Sequence, residues 1–402
     1  MPSAVVVTML TLLLGIQPVT TDLYLPALPT LARDLGAGIG AAQLTLSALI
    51  ICFGVGQLAC GPLADRFGRR PVLLAGLALY TVASVFAALA ASIDALVAWR
   101  ALQGAAMAAA VTCGRSIVRD LYEPHQGARV MSRALGGLGV IAMLSPLAGG
   151  ALVQGFDWHA ALLVLALFGA LTLAFVAWRY AETAPRLDRD ATRLAPLLRN
   201  WASVASHPGF RAWATLMAMT YGGLFLFLAA SSFVFIDVLG ISRVAYGAAM
   251  ASNSLAYIAG TLLCRRLLVS RGLRRTVKLG AWFSLAGGAG AALLSLAGVI
   301  GVWAVLVPQW AYAVGHGIHQ PCGQVGAVGP FPEKAGTAAA LSGFLMTVTS
   351  FAVGLWLGRH LDATVHPLTL GLGVAGVGVA AVAWTLVQRH GEPLPAPAVS
   401  LS

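Results

Sequence analysis

The chain has 402 residues, of which 59% are hydrophobic and only 10% are charged. Soluble proteins have about 45–50% apolar and about 25% charged residues, so this composition excludes a large soluble domain and places most of the chain in lipid. The net charge of +11 could attract nucleic acid, but it also fits the basic residues of cytoplasmic loops in a membrane protein.

Apolar runs long enough to cross about 30 Å of hydrocarbon recur along the whole chain. The predicted spans are residues 5–28, 41–63, 71–92, 95–117, 129–155, 160–180, 211–236, 243–268, 275–299, 301–325, 336–358 and 367–388. They predict an all-α integral membrane protein with twelve transmembrane helices.

The longest polar stretch separates spans one to six from spans seven to twelve. The predicted organisation is an N-terminal six-helix half (1–180), a cytoplasmic linker (181–210), a C-terminal six-helix half (211–390) and a cytoplasmic tail (391–402). Residues 56–70 and 260–274 share six identities in fifteen positions, which indicates an internal duplication. A substrate path between two repeated halves is typical of transporters.

The distribution of basic residues predicts the orientation. With a cytoplasmic N-terminus, 20 of the 25 Lys and Arg residues lie in cytoplasmic segments, three lie outside and two lie within spans. Basic residues are enriched on the cytoplasmic side of membrane proteins. Both termini are therefore predicted to be cytoplasmic, and the charge is explained without nucleic acid as a partner.

Asp22 ends the first apolar run, in T-T-D-L-Y-L-P-A-L-P (residues 20–29). An aspartate at the centre of a membrane helix costs roughly 2.5 to 3.5 kcal/mol, so its presence indicates a function. Arg100, in R-A-L-Q-G, lies in the outer half of span four, at a depth that could match Asp22. The two are predicted partners; the alternative is that Arg100 extends toward water at the outer interface.

The loop G-P-L-A-D-R-F-G-R-R-P, residues 61–71, follows span two. Its glycine at 68 permits a tight turn, and its three arginines would by themselves fix the orientation. Topology does not explain Asp65, however. An aspartate beside arginines at a helix end suits a charge latch that pairs with neighbouring helix ends and opens during a conformational change.

Span ten contains G-H-G-I-H-Q-P-C, with His316, His319 and Cys322 at every third position. Such residues can ligate zinc, but three ligands on one helix give poor tetrahedral geometry, and we predict no metal. The histidines could instead line a cavity or serve polar packing. In a cavity, His316 would be a second candidate proton carrier, because imidazole titrates near neutral pH.

Together with S-P-L-A-G-G (145–150), these motifs resemble the major facilitator superfamily, drug:proton antiporter branch. The similarity is greatest to its bicyclomycin/chloramphenicol-resistance subfamily of bacterial inner-membrane exporters. It covers nearly all of the chain, with its specific motifs in the first half. It implies the major facilitator fold, a small amphiphilic or drug-like substrate, protons as the coupling ion and no other cofactor. We predict a monomer in the lipid bilayer.

The resemblance also assigns roles to residues. Asp22 becomes the acidic residue of the drug and proton cavity, and Arg100 takes part in coupling. The conformational latch comprises Gly61, Asp65, Arg66, Gly68, Arg69 and Arg70, with Asp120 as carboxylate partner. The resemblance assigns a role in helix packing to Ser145, where the family usually has glycine, and to Pro146, Gly149 and Gly150. Substrate-cavity candidates are Gln17, Thr20, Tyr24, Gln103, Tyr221, Phe225, Gln309, Tyr312, His316 and His319.

The function predicted from the sequence is proton-coupled multidrug efflux by alternating access, and not an enzyme activity. One alternative is a proton-coupled or passive carrier of an endogenous metabolite. A more distant one is an intramembrane metalloenzyme built around the histidines of span ten.

Overall fold

The computed structural model describes residues 3–184 and 187–391, and within these ranges the chain is helical with no strand. The helices are α1 (Ser3–Asp22), α2 (Leu28–Asp34), α3 (Ile39–Phe67), α4 (Arg69–Ala88), α5 (Ile93–Leu121), α6 (Pro124–Gly155), α7 (Trp158–Arg179), α8 (Leu194–Ser206), α9 (Pro208–Ser232), α10 (Arg243–Leu296), α11 (Val302–Val328), α12 (Ala335–His360), α13 (His366–Trp384) and α14 (Leu386–His390). Most of the predicted tail, 392–402, lies outside the described residues.

Ten helical segments in the described part of the chain are long and apolar enough to cross a membrane. One of them, α10, has 54 residues, about twice the length that a single crossing needs. It bends at Gly272, whose φ of +73° suits glycine, into arms of 243–271 and 273–296. Helix α11, which contains the polar residues Gln309 and His316, is not among the ten. The multi-pass, all-helical class is confirmed, and twelve spans result if α11 and both arms of α10 are counted.

Polar caps and one glycine turn define several helix ends. The side chains of Ser92, Asp157 and Ser242 each accept the backbone N–H three residues further on, which satisfies a donor that the first helical turn leaves free. Between α3 and α4 the chain turns at Gly68, with a φ of +99°. This turn places two arginines at the start of α4, beside the end of α3.

The helices pack closely where side chains are small. A side chain at Gly104 of α5 would collide with the backbone oxygen of Leu49 of α3. Helix α4 packs on α5 and α7, and α1 packs on α6; α9 packs on α11, α12 and α13, and α10 on α11 and α13. Two further contacts, of α3 with α12 and of α6 with α10, join the helices before α8 to those after it.

The bundle has two distinguishable ends. We call the end with the α3–α4 turn and residues 180–184 and 187–207 the linker end, and the opposite one the distal end. At the distal end, Arg33 pairs with Asp237 at 3.3 Å, and Nη2 of Arg243 donates to Oγ1 of Thr30 at 2.9 Å. These contacts connect helices from the two parts of the chain at the distal end.

Candidate functional site

Asp22 is the last residue of α1, where the chain changes to a 3-10 turn at Leu25–Ala27. Its carboxylate accepts a hydrogen bond from the Thr21 hydroxyl at 2.7 Å. None of the ion pairs within 4 Å among the described residues involves Asp22. The phenols of Tyr221 in α9 and Tyr246 in α10 lie within its electrostatic reach. Asp22 therefore lies near helices of the second part of the chain.

Arg100 is fully buried, and it contacts α1 without pairing with Asp22. Its Nη1 donates to Oε1 of Gln103 at 2.5 Å, and its Nη2 donates to the backbone oxygen of Thr20 at 3.2 Å. The guanidinium carbon lies 4.1 Å from the centre of the Tyr24 ring, a cation–π contact. The two predicted partners thus lie at the same depth, but their side chains do not form an ion pair.

A shell of buried hydroxyl groups surrounds Arg100. Gln103 donates to Ser84 at 2.6 Å, and the hydroxyls of Thr20 and Tyr80 are 2.6 Å apart. The Tyr24 hydroxyl lies 2.8 Å from that of Thr45. Three of the predicted cavity residues, Thr20, Tyr24 and Gln103, therefore form contacts around Arg100. Sequence reasoning missed the residues of spans two and three, whose signal was only a polar side chain within an apolar run: Thr45, Tyr80 and Ser84.

The predicted cavity residues of α9 and α11 form separate contacts. His316 Nδ1 lies 3.2 Å from the Thr220 hydroxyl, and the Tyr312 hydroxyl donates to the Thr220 backbone oxygen at 3.2 Å. Gln309 donates to Asn253 at 3.1 Å. The half-buried Tyr221 lies near Gln17, whereas Phe225 is buried in the apolar core.

The every-third-residue pattern of α11 does not converge on one point. His319 Nε2 lies 3.2 Å from the backbone oxygen of Val277, whereas His316 contacts Thr220. The Cys322 sulfur lies 3.5 Å from that of Cys264. These contacts favour polar packing for His319 and Cys322. His316 differs, because its ring lies beside Tyr221, with 6.2 Å between the ring centres.

The helix-packing residues lie where α6 meets its neighbours. Side chains at Gly149 and Gly150 would collide with the backbone oxygens of Leu23 and Arg243, respectively. Ser145 donates to the backbone oxygen of Ile141 at 2.7 Å, and the carbonyl of Pro146 lies against Gly247 of α10. The absence of side chains therefore lets α6 approach both the end of α1 and the start of α10.

At the linker end, Arg69 is nearly buried between two carboxylates. Its Nη1 lies 2.6 Å from Asp65 and its Nε lies 3.1 Å from Asp120. Arg66 donates to Thr192 of the linker at 2.5 Å. No neighbouring atom lies within 4 Å of a side chain built at Gly61. In this conformation the latch residues bind one another and the linker.

Glu182 of the linker completes this cluster and was not predicted. Its carboxylate accepts hydrogen bonds from the backbone N–H groups of Arg69 at 3.0 Å and Arg70 at 2.9 Å, at the start of α4. Partial burial acts to raise the pKa of Glu182, but its four backbone donors outweigh burial and hold the pKa below its usual range. In the sequence, Glu182 stands out only as an acidic residue soon after span six.

A cavity of about 520 Å³ opens among α3, α5, α11 and α12 near the linker end. Its polar lining consists of Gln57, Thr112, Arg115, Ser116, Arg119 and Gln324. Small and aliphatic residues of α11 and α12 supply the rest. None of the ten predicted cavity residues lines it.

The fold and these buried polar clusters define a multi-pass helical membrane transporter. The Major Facilitator Superfamily model matches residues 10–354, and the chain belongs to this family. It is 32% identical over 355 residues, 85% of either chain, to multidrug resistance protein D of Escherichia coli strain K12. Over 379 residues, 93% of this chain and 94% of the relative, it is 27% identical to a bicyclomycin resistance protein homolog of Haemophilus influenzae.

Solved structures show the same fold. The D-xylose–proton symporter superposes with a TM-score of 0.73 over 98% of this chain and 99% of its own, at 16% sequence identity. The resemblance to drug-resistance members of the superfamily is thereby confirmed, and the protein is a transporter and not an enzyme.

Proposed function

We propose that the protein exports drug-like molecules in exchange for protons, by alternating access. The observation that carries this proposal is the half-buried carboxylate of Asp22, which has no cationic partner within 4 Å among the described residues. An ionisable group within a membrane span marks an ion or substrate pathway. The names of the relatives, which refer to multidrug and bicyclomycin resistance, support drugs as the exported class.

In this proposal the chain forms two six-helix halves, 1–180 and 211–390, joined by a cytoplasmic linker. Twelve spans would put both termini on the same side of a bacterial inner membrane, and the distribution of basic residues favours the cytoplasmic side. The protein acts as a monomer in this proposal. The contact of Arg33 with Asp237 closes the distal end, while the cavity opens near the linker end. These two features support an inward-open state, in which substrate enters from the cytoplasm.

Asp22 carries the proton in this scheme. The drug displaces it on the cytoplasmic side, and a proton from outside returns after the drug leaves. One proton moving inward releases roughly 2.3 kcal/mol per 100 mV of membrane potential, enough to drive uphill export. Tyr221 and Tyr246, which lie within electrostatic reach of the carboxylate, would sense its charge and connect it to α9 and α10.

Arg100 is a positioning residue in this proposal. Through the carbonyl of Thr20 and the ring of Tyr24 it contacts the chain on both sides of Asp22, so it fixes the end of α1. His316, next to Tyr221, is a second candidate on the same path. The Arg69 cluster serves as the latch, which must rearrange when the linker end closes.

The proposal is tested in inverted membrane vesicles carrying an imposed proton gradient. Bicyclomycin, for which one relative is named, serves as the first probe within a panel of diverse antibiotics. We expect at least one compound to dissipate the gradient in vesicles containing the protein and not in control vesicles. Gradient-independent accumulation of every compound that is transported would contradict proton exchange and favour a passive carrier.

A further inference from the structure

The cavity near the linker end has a charge pattern that the proposed function does not explain. Two arginines of α5, Arg115 and Arg119, lie one helical turn apart on its wall. Both are exposed, and neither forms an ion pair within 4 Å among the described residues. No carboxylate lines the cavity, and the nearby Asp120 is held by Arg69.

The remaining lining of the cavity suits an organic molecule. Gln57 and Gln324 offer neutral hydrogen-bonding groups from opposite parts of the chain. Helix α12 contributes only glycine and alanine to the lining, so the wall opposite the arginines consists of small apolar residues. Nη1 of Arg119 lies 3.8 Å from the position that a side chain on Gly336 would take, so the guanidinium extends across to α12. At about 520 Å³, the cavity has the size of a site for a drug-sized ligand.

Arginines that serve only to orient the protein would be expected to point into bulk cytoplasm. Here four helices from both parts of the chain line the space beside them. Arginine binds carboxylate, phosphonate and sulfonate oxygens through paired N–H donors. Two unpaired guanidinium groups beside an apolar wall therefore match a molecule with an acidic group on an apolar body.

We infer that this cavity binds amphiphilic organic anions, with Arg115 and Arg119 holding the acidic group and α11 and α12 the apolar body. This assigns a substrate class to the proposed exporter and rests on that proposal. It adds an entry site separate from Asp22, since none of the residues around Asp22 lines the cavity.

The test is equilibrium binding to the full-length protein in nanodiscs of zwitterionic phosphatidylcholine. Dansylglycine and dansylglycinamide form a matched pair of probes, because they share one apolar body and differ in the carboxylate. We expect the wild type to bind the carboxylate at least about tenfold more tightly, as one charge-assisted contact would give. In R115Q/R119Q this preference should disappear, and in R115K/R119K it should be partly restored.

The matched control is R265Q/R266Q, which removes the same charge from exposed positions of α10 that do not line the cavity. It should keep the preference. Absence of a preference in the wild type, its survival in R115Q/R119Q or its loss in R265Q/R266Q would overturn the inference. So would loss of the preference when phosphatidylglycerol is added to the nanodiscs, because the arginines would then bind lipid headgroups. Size-exclusion elution of each variant reports whether it is folded.

This binding measurement needs no proton gradient, so it can fail independently of proton coupling. If R115Q/R119Q keeps the wild-type preference but gradient-driven export is intact, only the substrate class is wrong. If binding behaves as expected but no compound exchanges with protons, the proposed function is wrong and the anion site stands.

Discussion

Arg100 donates a hydrogen bond to the backbone oxygen of Thr20 at 3.2 Å, two residues before the unpaired carboxylate of Asp22. A fully buried guanidinium is costly unless its charge is compensated. Here the carbonyl, the Gln103 side chain and the Tyr24 ring provide that compensation. The arrangement leaves Asp22 without a fixed counter-charge, which suits the proton-carrying role that we propose for it.

The ring of Tyr24 should contribute more to the free energy of unfolding than its hydroxyl does. Tyr24→Leu removes the cation–π contact with Arg100, and we expect it to lower the free energy of unfolding by about 2 kcal/mol. Tyr24→Phe keeps the ring and loses only the contact with Thr45, for about 1 kcal/mol. Thermal unfolding in detergent measures both. Equal destabilisation by the two substitutions would show that the cation–π contact contributes nothing.

Replacing Arg69 should destabilise the protein far more than replacing Arg66, although both residues lie in the same loop. Arg69→Ala leaves the nearly buried carboxylate of Asp120 unpaired, which costs about 3 kcal/mol or more. Arg66→Ala removes an exposed contact with the linker and an exposed cation–π contact with Phe67, and it should cost about 1 kcal/mol or less. Membrane expression and thermal unfolding of the two variants provide the comparison. A similar loss in both would mean that burial of Arg69 does not matter.

Glu182 should stabilise the protein in a pH-dependent way. Because its folded-state pKa is held below the unfolded value of about 4.3, its stabilisation is present above that value and is lost as the pH falls through the folded pKa. Since the side chain is exposed, we expect Glu182→Gln to cost only about 1 kcal/mol at pH 7. The difference from wild type should shrink toward pH 3.

The control for that substitution is Asp188→Asn. Asp188 is also exposed in the linker, but its carboxylate accepts a single backbone N–H, from Asp190. This variant should change stability little at any pH. If it matched Glu182→Gln, the effect would reflect linker charge in general and not the hydrogen bonds to the start of α4.

The contact between Arg33 and Asp237 at the distal end should open during transport. In Arg33→Cys/Asp237→Cys, a flexible bis-methanethiosulfonate reagent should join α2 to the end of the π-helical segment Phe233–Val238. We expect cross-linking to stop export and a reductant to restore it. Arg33→Cys/Asp34→Cys, with both thiols near the end of α2, should tolerate the reagent. Continued export by fully cross-linked protein would contradict movement at this contact.

Much of the fold could be predicted from the sequence because apolar length and charge position are local properties. The limits of this approach appear in α10 and α11. Helix α10 continues through the bend at Gly272, and α11, which contains several polar residues, is not among the ten segments that are long and apolar enough to cross a membrane. The loop at 61–70 was recognisable because Asp65 stood out among arginines.

The site was less accessible to sequence reasoning, because partners on different helices are set by packing. Span order and depth suggested that Asp22 and Arg100 could meet, but they could not show that Arg100 would bind the backbone of Thr20 instead. Similarly, Glu182 is one of several acids in the linker, and its hydrogen bonds to the α3–α4 turn depend on how the chain returns after α7. The absence of an ion pair at Arg115 among the described residues also depends on packing between helices and could not be predicted from the sequence.

The central claim concerns the proton on Asp22, and it is tested most directly by Asp22→Asn in reconstituted vesicles. For a compound that the wild type exports, we predict that this variant loses accumulation driven by a pH gradient. It should keep substrate exchange at equilibrium, because the neutral amide mimics the protonated state. Undiminished gradient-driven export in Asp22→Asn would contradict the assignment of Asp22 as the proton carrier.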